Sequence, residues 1–383
     1  MKILAEITNE NERDVYHIYD KQSFVIDLSS APYHTIAKKS WFCSSNHLPN
    51  ITERKNYFSN YSIDEKIAIQ IQDKLNSGEN VILTYDYATI SSSIRWIGSS
   101  SLTIKSKHNI TITNNVTIAN NGSGLLKLMA GIEGEDSLAT INFDRSGLVD
   151  MNNGGKVEVF YNPNIGNKLH KYHNVKSFYN NIKGKDVEIK ALVNSMEDLQ
   201  DINYFPSGSY ALSRNLDASS FSSFLSISDS EQPFTGNFDG NNYEIANLEI
   251  YGGDNVSIFG VTIGSPIDKV QIKNLQLRNI TVKGDAHVGI IASESVHTSF
   301  SNISFKNSKI VSSEISGAIS GSADKCTISD VIGTNDIKIS SAMPSGKIFG
   351  ALKNSKVCGL DCKFEDVSCV GLSIHNMEGD DCA

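Results

Sequence analysis

The sequence predicts an all-β fold: a right-handed parallel β-helix (solenoid) with a small mixed α/β cap region at its N-terminus. Three observations predict it. Two short motifs recur in phase about every 28 residues in the C-terminal half, residues 81–163 alternate apolar and polar side chains, and Asn and Gly fill the turns. Because Asn and Gly accept left-handed backbone angles at little cost, they suit the corners of stacked coils.

The composition excludes some partners. The chain of 383 residues holds 34 Lys and Arg against 43 Asp and Glu, which gives a net charge of −9. Binding to phosphate backbones requires a basic face, so this charge disfavours a nucleic-acid partner. Apolar stretches of about 20 residues, the length that spans a membrane, are absent from the sequence, so no membrane span is predicted.

We expect four regions along the chain. Residues 1–80 form an N-terminal cap or flanking region with one amphipathic helix, or a separate domain. Residues 81–163 form a first β-helix block, and residues 164–234 form a partly helical connector with the first coils of the next block. Residues 235–383 form a repeat β-helix block with a Cys-rich C-terminal end.

One helix is predicted in the N-terminal region, over residues 63–75. Residues 62–65 (Ser-Ile-Asp-Glu) have the pattern of a capping box, in which Ser and Glu side chains satisfy free amides at the helix start. Residues 76–78 (Asn-Ser-Gly) supply a stop signal. The apolar stripe recurs every four residues at Ile63, Ile67, Ile71 and Leu75.

The first anchor of the repeat is an Asn, or a substitute, that precedes an apolar residue in a short strand. Its copies are spaced by about 28 residues, within the range typical of solenoids. An Asn at one repeated position can bond its amide to the next copy, so we predict a structural ladder along the axis. The predicted ladder positions are Asn247, Asn274, Asn302 and Asp330. In the last copy of the anchor, Gly359 stands at the corresponding position.

A second anchor follows the first in each unit, with a small residue on each side of two larger ones. It occurs at residues 257–260, 289–292, 318–321 and 347–350. The glycines predicted at the repeated small positions are Gly260, Gly289, Gly321 and Gly350.

These segments resemble two kinds of repeat in bacterial surface proteins. The second anchor resembles the GLUG repeat, and residues 238–245 (Phe-Asp-Gly-Asn-Asn-Tyr-Glu-Ile) resemble the segment that precedes such an array. Other segments resemble filamentous-haemagglutinin-type adhesin repeats: residues 94–96 (Ile-Arg-Trp), 101–104 (Ser-Leu-Thr-Ile), 109–112 (Asn-Ile-Thr-Ile), 155–163 (ending Phe-Tyr-Asn-Pro), 193–202 and 208–212.

The resemblance implies a right-handed β-helix with a role in surface display, adhesion or delivery. Its partner would be a glycan or protein on a host or cell surface, bound by a monomer. Residues 1–6 (Met-Lys-Ile-Leu-Ala-Glu) lack the apolar run of a secretory signal, which those adhesins carry. We therefore expect a secreted or cell-surface protein exported by another route, or alternatively a cytoplasmic one.

The sequence also allows the alternative of a polysaccharide-degrading hydrolase or lyase, because parallel β-helices often host such enzymes. A hydrolase needs two or three carboxylates converging on one face. Asp330 shares its phase with uncharged Asn residues, Asp239 lies in a turn, and Asp380 and Asp381 lie in the terminal tail. Asp268, Asp324 and Asp336 do not align. We therefore predict no catalytic residue and no cofactor.

Cysteine and histidine do not predict a metal site. Cys358, Cys362, Cys369 and Cys382 lack the two tight pairs of a zinc site, so reduced thiols are favoured over disulfides or metal. His170 and His173 are three residues apart, and Cys43 lies four residues before His47, but solvated loops explain both pairs better.

Overall fold

Parallel backbone ladders run through the chain from coil to coil. The computed structural model describes residues 23–25, 60–134, 138–162, 178, 180–333, 336–342, 346, 348–357, 374–375 and 378–379. Every strand pair in these residues is parallel. The strands stack into a β-solenoid of about 10 turns, which confirms the predicted all-β solenoid.

The strands of the N-terminal half, in chain order, are β1 (Ser23–Val25), β2 (Asn60–Ile63), β3 (Asn80–Tyr85), β4 (Tyr87–Ile90), β5 (Ile94–Ile97), β6 (Ser101–Ser106), β7 (Ile110–Ile112), β8 (Thr117–Asn121), β9 (Leu125–Ala130), β10 (Ile141–Phe143), β11 (Leu148–Tyr161) and β12 (Ile182–Val193).

Those of the C-terminal half are β13 (Ser209–Leu212), β14 (Leu216–Asp217), β15 (Asn237–Asp239), β16 (Glu244–Ala246), β17 (Glu249–Tyr251), β18 (Val261–Ile263), β19 (Val270–Arg278), β20 (Thr281–Lys283), β21 (Val288–Gly289), β22 (Ala292–Val296), β23 (Thr298–Lys306), β24 (Ser308–Ser312), β25 (Ser316–Gly317), β26 (Ser320–Asp324), β27 (Thr327–Ile332), β28 (Ile337–Ser341), β29 (Phe349–Lys353), β30 (Lys356–Val357), β31 (Ile374–His375) and β32 (Glu378–Gly379).

One long sheet connects both halves of the solenoid. It contains 17 strands, among them β9, β11, β12, β13, β15, β19, β23 and β27. A 4-stranded sheet of β2, β4, β7 and β10 lies in the first half, and the second half adds sheets formed by β17–β20–β24–β28, by β18–β22–β26–β29–β31 and by β21–β25. The long sheet therefore carries residues from both blocks on one face.

The predicted helix is present but begins later than expected. Helix α1 (Glu65–Asn76) is capped by Asp64, whose carboxylate accepts a 2.9 Å hydrogen bond from the Ile67 amide. Asp64 therefore replaces Ser62 as the cap, because residues up to Ile63 extend as strand β2. The stripe of Ile67, Ile71 and Leu75 is buried against the first coils.

A second helix interrupts the coils of the connector. Helix α2 (Met196–Asp201) is capped by the Ser195 hydroxyl, which accepts a hydrogen bond from the Asp198 amide at 3.1 Å. Short 3₁₀ turns follow at Ile202–Tyr204 and precede β10 at Ile132–Gly134.

The core consists of apolar columns that continue from coil to coil. In the repeat block Ile272 pairs with Phe300, and Phe300 pairs with Ile328. All three side chains are fully buried. In a parallel stack each inward position meets the same position of the next coil, so burial is continuous along the axis.

Candidate binding site

An asparagine row runs along one corner of the repeat block. The Asn302 side-chain amide donates to Asn274 Oδ1 at 2.9 Å, and the Asn274 amide donates to Asp239 Oδ1 at 2.9 Å. Asn274 and Asn302 have positive φ values of 55° and 52°. Asp330, with a φ of 56°, is level with Asn302, since Ser329 pairs with Ser301. This row turns the chain and joins the coils, so it is structural.

Asn247 does not belong to that row, so its predicted place was wrong. Ala246 pairs with Arg278, which puts Asn247 level with Asn279 in a second row. The Asn247 amide donates to Asp217 Oδ1 at 2.9 Å, and Asn247 Oδ1 accepts from the Asn279 amide at 2.9 Å. The error arose because the coil from Asp239 to Lys273 is longer than the next two coils, from Lys273 to Ser301 and from Ser301 to Ser329.

The second row has a sequence signal that the prediction missed. Asn279 and Asn307 each follow a member of the first row by the same interval, and both have positive φ values of 54° and 51°. The coils of Asn274 and Asn302 thus each turn twice on an Asn, because a short polar side chain tolerates left-handed angles and bonds to its neighbours.

Three of the four predicted glycines share one column. Gly321 is level with Gly350, because Ser320 pairs with Phe349 and Ser322 with Ala351. Ser293 occupies this column in the coil of Gly289, while Gly289 pairs with Gly317 in a separate two-stranded sheet. Gly289 is the first small residue of its motif copy, whereas Gly260, Gly321 and Gly350 are the last, so its place in another column does not conflict with the motif.

These glycines are required for close packing of the backbone. A Cβ atom at Gly260 would overlap the Ser228 carbonyl oxygen, and Gly260 has a φ of 72°. A Cβ atom at Gly350 would overlap Ile315 and the Gly321 carbonyl oxygen. The glycine column therefore serves architecture and offers no chemistry.

A cluster of six charged side chains lies on the outward face of the long sheet. The sequence did not predict this charged cluster, because most of its members lie on coils of unequal length that precede the repeat block. Lys127 pairs in register with Glu158, and Glu158 pairs with Glu188. Charged residues therefore recur in the sequence at intervals of about one coil, and this interval was the signal that could have predicted the cluster. The cluster consists of Lys127, Lys156, Glu158, Glu188, Lys190 and Asp239.

Each carboxylate of the charged cluster has a lysine partner. Lys190 Nζ lies 2.9 Å from Asp239 and 3.3 Å from Glu188. Lys156 Nζ lies 3.2 Å from Glu158 and 3.4 Å from Glu188. The Lys127 and Lys190 ammonium groups also lie 4.6 Å and 4.8 Å from the centre of the Phe160 ring, a cation–π arrangement.

The pKa values in the charged cluster favour the ionised pairs. Burial alone would raise the pKa of Asp239, but the Lys190 ammonium and the amides of Asn274 and Asn241 outweigh it and lower that pKa. The pKa of Glu158 is lowered in the same way by three lysines, against the effect of burial. Burial lowers the pKa of Lys127 despite the nearby Glu158. The carboxylates of Glu158 and Asp239 are thus held ionised and bound to lysines.

The outward face of the long sheet in the repeat block is flat and polar. We define the polar face as six aligned, outward positions of β19, β23 and β27. They are Gln271, Lys273, Ser299, Ser301, Thr327 and Ser329. Gln271 pairs with Ser299 and Ser299 with Thr327, while Lys273 pairs with Ser301 and Ser301 with Ser329. These side chains are exposed or half-buried, whereas the alternate residues are buried. Neighbouring coils present them at a spacing of about 4.8 Å.

Several candidate residues of the sequence fall outside the described part of the chain. They are Cys43, His47, His170, His173, Cys358, Gly359, Cys362, Cys369, Asp380, Asp381 and Cys382.

Among the described residues, no group of three or more His, Cys, Asp and Glu side chains could hold a metal ion. Across the same residues, none of the helices is long and apolar enough to cross a membrane.

The fold and these faces define a parallel β-solenoid protein. Comparison with known proteins adds one partial similarity. A stretch is 30% identical over 119 residues to halomucin from Haloquadratum walsbyi, covering 27% of this chain and 1% of halomucin. The chain therefore spans a very small part of that relative's length. No family model and no solved structure matches the chain, so the resemblance to haemagglutinin and GLUG repeats stays a prediction.

Proposed function

We propose that this chain is a non-catalytic β-solenoid that binds a glycan or protein on a host or cell surface. The polar face carries the proposal, because it aligns four hydroxyl groups with the Gln271 amide and the Lys273 ammonium in register over three coils. Repeated weak contacts on a rigid face give avidity without a deep pocket. The fold and the partial similarity to halomucin are consistent with a surface protein. We further propose a secreted or cell-surface monomer, with a cytoplasmic location as the alternative.

The charged cluster supports binding over catalysis. A catalytic acid or base must exchange protons with a substrate, and its pKa is usually tuned toward neutrality. Glu158 and Asp239 instead have lowered pKa values and lysine partners. A structural role in joining coils accounts for this arrangement.

One observation favours a second candidate function, polysaccharide cleavage. Glu158 and Glu188 occupy paired positions on adjacent coils, a separation of about 5 Å that suits two catalytic carboxylates. Loss of turnover in both Glu158→Gln and Glu188→Gln variants would support this alternative. Their lysine partners make it the weaker candidate.

A parallel binding and hydrolysis assay tests the proposal. The protein is applied to glycan arrays and fixed cells, and the same glycans are assayed for release of reducing ends. We expect binding without turnover. A Ser301→Glu/Ser329→Glu variant should weaken binding by about tenfold or more, because it places two charges on the polar face.

Ser340→Glu provides the matched control, because Ser340 is exposed on β28 in a different sheet. It should bind as the unsubstituted protein does. Clear turnover of any polysaccharide, or equal binding by the Ser301→Glu/Ser329→Glu variant and its control, contradicts the proposal.

A further inference from the structure

A groove lies away from the polar face, between a loop at the end of the connector and a loop of the repeat block. Residues 225–232 form one wall and residues 251–256 form the other, and Asn203 lies at the rim. The space between them is open and measures about 380 Å³. This size is within the range of small-ligand sites and matches one or two sugar rings.

Two apolar side chains are exposed in the groove. Leu225 is 64% exposed and Tyr251 is 57% exposed. Both are held in place: Gln200 bonds the backbone amide and carbonyl of Leu225 at 2.8 and 3.1 Å, and the Tyr251 hydroxyl donates to Glu249 at 2.7 Å. An exposed, oriented tyrosine ring offers a flat apolar surface at low entropic cost on binding.

Polar groups surround these apolar surfaces. Asp229, Gln232 and Asp254 are exposed, and Asp229 Oδ1 is positioned by the backbone amides of Glu231 and Gln232 at 2.8 Å. Asn255 Oδ1 is a buried acceptor with no hydrogen-bond partner among the described residues. Because Asn255 Oδ1 is closed off from solvent, the carboxylates of Asp229 and Asp254 are the acceptors that a ligand in the open groove reaches.

The charge of the groove selects against anions. Its lining includes the carboxylates of Asp229 and Asp254, and none of the lining residues in the described part of the chain is Lys, Arg or His. The matching ligand has hydroxyl donors, an apolar C–H face and no negative charge. Sugars combine these features, since their ring faces stack on aromatic side chains and their hydroxyls bond to carboxylates and amides.

From this combination we infer that the groove between Leu225 and Tyr251 binds a neutral saccharide. The inference goes beyond the proposed function, because the groove is a second site apart from the polar face, and it names the ligand class of that second site. Tyr251 provides the stacking surface, and the exposed carboxylates of Asp229 and Asp254 accept hydrogen bonds from hydroxyls. The Leu225 side chain provides the apolar surface on the opposite wall of the groove.

Calorimetric titration of the full chain tests this inference. The probes are cellohexaose, mannohexaose, N-acetylchitohexaose and hexagalacturonic acid. We expect saturable binding of at least one neutral hexasaccharide at concentrations up to about 10 mM, and none of hexagalacturonic acid. Tyr251→Ala should weaken binding by about tenfold or more, whereas Tyr251→Phe should keep most of it because the ring remains.

Tyr87→Ala is the matched control, since Tyr87 is 38% exposed on β4 in the first block. It should bind as the unsubstituted protein does. Circular dichroism of each variant verifies that the solenoid remains folded. Preference for the acidic hexasaccharide, or no saturable binding of any neutral probe, overturns the inference. Binding of Ca²⁺ alone in the groove would overturn it as well.

The polar-face variant separates this inference from the proposed function. If Tyr251→Ala leaves glycan binding intact while Ser301→Glu/Ser329→Glu removes it, the groove inference fails and the proposed function stands. If hydrolysis accompanies binding, the proposed function fails whatever Tyr251 contributes.

Discussion

Lys190 donates a 2.9 Å hydrogen bond to Asp239, although 49 residues separate them in the chain. The Lys190 side chain is 1% exposed and that of Asp239 is 8% exposed. The pair spans from β12 to β15 across the intervening strand β13. Asp239 also accepts from Asn274, so this contact joins the charged cluster to the first asparagine row and the first block to the repeat block.

We expect Lys190→Met to destabilise the protein by about 3–5 kcal/mol, because it leaves the carboxylate of Asp239 buried without its cation. The free energy of unfolding from chemical denaturation measures this loss. Lys127→Met is the control, since Lys127 is more exposed and lies 3.8 Å from Glu158. An equal or smaller effect of Lys190→Met would show that the buried pair contributes little.

Stability should fall in acid. The pKa values of Asp239 and Glu158 are lowered in the folded state, so their contribution is fully present above the unfolded value of about 4. It is lost as the pH falls through the folded values. Measured from about pH 7 to pH 2, Asp239→Asn should show a shallower loss of unfolding free energy than the unsubstituted protein. Parallel curves would contradict this assignment.

Asn302→Ala should cost more stability than Asn302→Gly. Both remove the hydrogen bond to Asn274, worth about 1 kcal/mol, but only Ala strains the backbone at a φ of 52° by a further 1–2 kcal/mol or so. Urea unfolding of both variants, with Ser304→Ala on the same strand as control, separates the two effects. Equal losses for Ala and Gly would remove backbone strain as the cause.

Gly260→Ala should disrupt its coil, because a Cβ atom there overlaps the Ser228 carbonyl oxygen and φ is 72°. We expect a loss of about 2 kcal/mol or more in unfolding free energy. Gly253→Ala is the control, since its Cβ would meet only Asp285 at 3.9 Å. The control should change stability by less than about 0.5 kcal/mol, and a similar loss in both would argue against close packing at Gly260.

The Cys326 thiol should be inert in the folded protein. Burial raises its pKa to about 12, so the reactive thiolate is scarce at neutral pH. Iodoacetamide labelling followed by peptide mass spectrometry should show modification of Cys326 only after unfolding. Rapid labelling under native conditions would indicate that this coil opens readily.

Much of the fold can be predicted from local patterns. The apolar stripe of Ile67, Ile71 and Leu75 predicts α1 because a helix brings every fourth residue to one face. Alternation predicts the strands, and repeated Asn residues predict corners because few other side chains accept left-handed angles. These patterns are local in the sequence, so they can be recognised without knowing which coils lie next to each other.

The candidate site was less predictable, since it depends on which coils lie beside each other. Asn247 was assigned to the wrong row because loops of unequal length shift the register between coils. The charged cluster and the groove draw on residues that are distant in sequence, such as Leu225 with Tyr251.

The sequence by itself therefore determined the solenoid, its repeat length and its asparagine corners, all of which depend on side-chain period and backbone preference. Only the tertiary structure decided which carboxylate meets which lysine and where a groove opens. The physical reason is that the register of a parallel stack is the sum of all strand and loop lengths around each turn. The contact between Lys190 and Asp239 can therefore be predicted only when the lengths of all the strands and loops between them are known.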